Sequence, residues 1–111
     1  MTRPESAESE VHTLVVQVGR KLGDGLPDRA TGAGLLCYAS ARDEAEAVRE
    51  TVAVLKTAGL APLDVTAYGT RAEREADGGL DREERALMDR AAAENAVIVV
   101  EVTPFFDDGE K

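Results

Sequence analysis

Apolar and polar residues alternate along several short stretches of this chain, and elsewhere apolar residues recur every three or four positions. Residues 11–18, Val-His-Thr-Leu-Val-Val-Gln-Val, are rich in β-branched side chains and read as a first strand. Alternation puts His12, Leu14, Val16 and Val18 on one face and Val11, Thr13, Val15 and Gln17 on the other. Residues 35–39 and 63–68 read as a second and third strand, and 96–103 as a fourth that Pro104 ends. Between the second and third, Ala41, Ala45, Val48, Val52 and Leu55 fall on one stripe of a helix over 41–58. Ser40, with Asp43 three residues on, marks its start, and Gly59 and Pro62 mark its end. Asp81 with Glu84 forms a capping-box pattern opening a second helix, with Leu80, Leu87, Met88 and Ala91 on one side and Asn95 as its stop.

The element order is therefore β-β-α-β-α-β. Two right-handed crossovers advancing in one direction would put both helices on the same side of the sheet. The expected architecture is α/β (α+β): a two-layer sandwich whose four-stranded mixed sheet has its first strand antiparallel and both helices on one face. It resembles ferredoxin-like α/β sandwiches in size and layering, although the long helix here follows the second strand instead of the first. Residues 11–106 form the domain, between a flexible acidic tail at 1–10 and a charged tail at 107–111. Residues 20–33 read as a long glycine-rich loop, functional or mobile, and 70–79 as a charged connector with a short helical start.

With both helices on one side, the other sheet face meets water or a partner. The strand phases assign Val15, Leu36, Tyr38, Asp64, Tyr68, Val97 and Val99 to it, beside Thr13, Gln17, Thr66 and Glu101. So apolar a patch exceeds what a soluble monomer usually leaves bare, and it reads as a surface for a partner or a second copy.

Composition narrows the function classes. The 111 residues suffice for one core, and 43% hydrophobic content is that of a globular domain. A net charge of −9 repels a phosphate backbone, which argues against nucleic acid and allows a basic protein as partner. No apolar run is long enough to span a bilayer and residues 1–10 lack a signal-peptide core, so no membrane role is expected. The single Cys37, in a strand, suits a buried thiol in a reducing compartment, hence the cytoplasm.

Candidate chemistry is sparse. His12 is the only histidine and reads as structural; no metal-ligand set, dinucleotide fingerprint or nucleophile elbow is present, and no metal or cofactor is implied. The glycines after the first strand lack the lysine, hydroxyl and helix of a phosphate loop, and Asp107, Asp108 and Glu110 lack calcium-loop spacing. The chain reads as a non-enzymatic binding or regulatory module that self-associates or docks a partner through its open sheet face. One alternative is a small-molecule protein or enzyme, with a pocket between the facing sheets of a dimer lined by Tyr38, Tyr68, His12 and Asp64. Another is an acidic inhibitor of a basic protein.

Overall fold

The structure, a computed structural model, describes residues 9–106. Four strands, β1 (Glu10–Val18), β2 (Ala30–Ala41), β3 (Pro62–Thr70) and β4 (Val97–Phe106), form one sheet in the order β3-β1-β2-β4. Three helices accompany them: α1 (Glu44–Thr57) between β2 and β3, then α2 (Arg71–Ala76) and α3 (Arg82–Glu94) between β3 and β4. The α+β class, the four strands and the two long helices are as the sequence predicts, and the short helical start within 70–79 is α2.

The arrangement of the sheet differs from the expected one. Every neighbouring pair is antiparallel, so the sheet is not mixed. β2 and β3 do run parallel across α1, but β1 lies between them and pairs with both. β3 and β4 run in opposite directions on the two edges, so the connection between them is not a parallel crossover and the handedness rule does not act on it. The result is helices on both faces instead of one.

The side-chain clusters show this directly. α1 buries Leu55 against Val16, Val18, Ala33, Leu35 and Cys37, and Ala47 against Leu14, Ala39 and Ala41. α3 buries Met88 and Ala91 against Val11 and Tyr38, with Ile98 and Val100 packed at the margin. Val11 and Tyr38 belong to the opposite pleat from Leu14 and Cys37, since Thr13 pairs with Tyr38 and Leu14 with Cys37. Each fully buried Leu, Val or Met contributes on the order of 1.5–3 kcal/mol relative to exposure, so both faces are held by real cores.

Local signals fix the helix ends. Asp43, not Ser40, caps α1: its carboxylate accepts the Glu46 N–H at 2.8 Å. Ser40 lies within β2, which runs on to Ala41 opposite Glu10, and its hydroxyl lies 3.0 Å from Asn95 Oδ1. Thr70 with Glu73 and Asp81 with Glu84 form complete capping boxes on α2 and α3, and Asn95 closes α3 in the left-handed conformation. Arg71 pairs with both Glu75 and Asp89, and Arg85 with Glu75, tying α2 to α3.

Two stretches read as irregular are more ordered than expected. β2 begins at Ala30, so the loop is confined to 19–29. Arg20 pins it with two bonds to the Asp24 carboxylate, at 2.9 and 3.1 Å, and further bonds to the carbonyls of Pro27 and Ala30. Asp24 also accepts the backbone N–H groups of Lys21 and Leu26, so the loop's own carboxylate takes donors that an anion would need. β4 continues through Pro104 to Phe106, which an edge strand tolerates because one side of it has no ladder to complete.

Candidate functional site

β3 ends and β4 begins at the same end of the sheet, since Thr70 lies opposite His12 and Val97 opposite Ala39, the partner of His12. The α2–α3 connection therefore crosses the sheet only at that end. It covers half of the face opposite α1 and leaves the other half bare.

In the covered half, Tyr38 is fully buried and its hydroxyl donates to Glu84 Oε2 at 3.2 Å. Arg74 stands 3.8 Å from the same carboxylate oxygen and donates to Thr13 Oγ1 at 3.2 Å. Burial first, then the Glu84 carboxylate, push the Tyr38 phenol above its ordinary value. On the α1 face, burial pushes the Cys37 thiol up to about 11. Both groups are neutral when protonated and favour the proton more in the folded state. Their stabilisation is complete below the unfolded thiol's value of roughly 8.5 and is lost as pH rises through the folded values. Urea midpoints should therefore hold steady up to about pH 8.5 and fall toward pH 11, with Cys37→Ala and Tyr38→Phe each flattening the fall; an alkaline loss in each variant as steep as in the unaltered chain would refute the assignment.

In the open half, Val15, Gly34 and Leu36 form a partly accessible floor. The Phe105 ring lies over Gly34, near enough that a Cβ there would sit 3.2 Å from Cζ. An aromatic ring laid over a strand glycine fills the missing side chain and raises a wall on the sheet. Clefts of about 250 and 290 Å³ share Val15, Gly34 and Phe105, the first extending to Gln17, Asp64 and Thr66 and the second to Leu36, Glu101 and Thr103. A third, of about 360 Å³, runs from Leu36 to the helical wall, bounded by Thr13, Tyr68, Arg74, Asp77 and Glu84. A larger cleft of about 500 Å³ lies at the sheet end between Ser40, Arg42, Glu46 and Asn95, but there Ser40 meets Asn95 and Arg42 binds Glu46. Part of its polar lining is thus engaged with itself, whereas Val15, Gly34 and Leu36 give the open half an apolar floor.

Four of the seven residues expected on the open face are there: Val15 and Leu36 on the floor, Asp64 and Tyr68 exposed on the β3 edge. Tyr38 is not; it lies beneath α3. Val97 is not either, because it packs with the α1-side cores, and Val99 sits on that same side opposite Cys37, partly exposed at the edge. Ile98 and Val100 do face a helix as expected, but the helix is α3, on the other side from α1. A bulge in the β2–β4 pairing then brings Glu101 opposite Leu36 and onto the open face. His12 is buried on the α1 face, with no hydrogen-bond partner at Nε2 among the described residues, so Tyr38, Tyr68, His12 and Asp64 do not share a pocket.

Sequence reading missed Gly34 and Phe105 as a unit; the available signal was a glycine within an apolar stretch and an aromatic pair following a strand. Among the described residues no three His, Cys, Asp or Glu side chains converge as metal ligands, and no helix is long and apolar enough to cross a membrane.

Residues 11–106 match the family model described as "Domain of unknown function (DUF8846)", and the chain belongs to that family. No curated protein and no solved structure matches it.

Proposed function

We propose that this family member is a non-enzymatic binding module that receives a protein on the open half of the sheet face opposite α1. The observation carrying this reading is the contiguity of the three clefts around one apolar floor of Val15, Gly34 and Leu36, walled by Phe105 at one end and by α2 and α3 at the other. A pleated floor with polar rims suits a flat protein surface or an extended segment, held by burial at its centre. The occupant is a second copy or a different chain; the residues on the rim bear on that choice below. The free, buried Cys37 supports the reading of a reducing compartment such as the cytoplasm.

The experiment is site-specific photo-crosslinking in the cells that make the protein. A photoreactive residue at Thr103, exposed on the open half, should give a discrete adduct identifiable by mass spectrometry, either a dimer or a defined partner. The same residue at Ala53, exposed on α1, should give none. Adducts of equal yield from both positions, or from Ala53 alone, would remove the basis for the proposal.

A further inference from the structure

The charges around the open half are one-sided. Each of the three clefts has a carboxylate in its lining: Asp64 in one, Glu101 in the next, Asp77 and Glu84 in the third. Among the described residues the only cation lining any of them is Arg74, and it is already paired with Glu84. Among the described residues no cation pairs with Asp64, Glu101 or Asp77, whereas the arginines of the helices and of loop 19–29 are largely joined to neighbouring carboxylates. Unpaired carboxylates beside an apolar floor are costly to desolvate unless the arriving surface brings cations.

Resting on the binding-module reading, we infer that the occupant is a cationic segment of another protein, with apolar residues between two basic side chains, and not a second copy of this chain. A second copy brings a further net charge of −9 and sets one acidic rim against another. A basic partner is steered toward the face and neutralises it on contact.

The geometry also sets a spacing. Asp64 lies on one edge strand and Glu101 on the other, with β1 and β2 between them. Three strand spacings of about 4.8 Å and a two-residue offset along the strands separate their backbones by roughly 16 Å. At about 3.3 Å per residue, an extended segment lying across the floor carries two basic residues about four positions apart on its sheet-facing side, about 13 Å from each other, and their long side chains span the remainder. The apolar side chain midway between them, on the same side, meets Val15 and Leu36, and a base at each end meets an edge carboxylate.

The test uses the full chain and three dye-labelled synthetic peptides: one with two lysines separated by three apolar residues, one with the lysines adjacent, and one with glutamates replacing the spaced lysines. Fluorescence anisotropy at low salt should show the spaced-lysine peptide binding at least tenfold more tightly than either of the others. The double variant Asp64→Asn, Glu101→Gln should lose at least tenfold for that peptide alone, with an unchanged thermal midpoint, because both side chains are exposed. Amide NMR shifts should map to Val15, Gly34, Leu36 and Phe105.

Equal binding of the lysine and glutamate peptides, with shifts at those residues, would overturn the cationic occupant and leave the binding face standing. So would a dimer stable in high salt whose contacts map to the same residues. Equal binding of spaced and adjacent lysines would overturn the spacing. No peptide binding, or shifts confined to α1, would overturn the inference and the face together.

Discussion

Met88→Ala is expected to lower unfolding stability by roughly 2–5 kcal/mol, the range for truncating a fully buried methionine. Met88 is wholly inaccessible and centres the cluster that attaches α3 to the sheet through Val11, Tyr38 and Ala91. The polar contacts add less: the Tyr38–Glu84 bond is a single contact, and Arg71–Asp89 and Arg85–Glu75 reach α2 instead of a strand. A domain of this size has about 5–15 kcal/mol in total, so the variant sits near the lower limit of a folded population. Urea denaturation gives the number. A loss below roughly 1 kcal/mol, well under the range for a cavity, would mean that α3 is not packed on this face and that the half-covered sheet is wrong.

The same helix marks how far the sequence can be read. Capping boxes and glycine or asparagine stops are encoded within four or five residues, which is why the ends of α3 and the close of α1 were legible. The start of α1 was misplaced because Ser40 and Asp43 both qualify as caps. The choice fell to Asp43 because β2 keeps pairing with β1 as far as Ala41, a contact between segments thirty residues apart. Which face α3 covers was harder still. Its stripe of Leu80, Leu87, Met88 and Ala91 says that it buries one side, but not against what. That depends on β1 inserting between β2 and β3, and no local pattern specifies it.

The site was legible to the same extent. Period-two alternation placed Val15, Leu36, Asp64 and Tyr68 correctly, because strand phase is a local property. It also paired Ile98 and Val100 correctly with a helix. The error was to equate facing a helix with facing α1, and it carried Val97 and Val99 to the wrong side and left Tyr38 in the open. Half of a sheet face being bare is a consequence of topology: a connection joining two edge strands at one end has no reason to cross the other.

Gly32→Ala is the second large effect expected. A Cβ at Gly32 would come 2.4 Å from the Val18 carbonyl oxygen, which no rotamer can relieve because the obstacle is backbone. Gly32 also lies opposite Phe105 at a register shift, so the hairpin cannot yield without moving the strand that carries the wall of the open half. The loss should reach or exceed the upper end of the roughly 1–3 kcal/mol seen for overpacking. Gly34→Ala, two residues away, makes the sharper comparison. There the Cβ meets only the tip of the Phe105 ring, at 3.2 Å, and the ring has solvent on its far side to tilt into. That substitution should cost under about 1 kcal/mol, the low side of the overpacking range, while shifting the Phe105 resonances. If the two alanine variants unfold at the same urea concentration, the close approach of Gly32 to Val18 is not rigid, and the β1–β2 hairpin does not fix the position of Phe105.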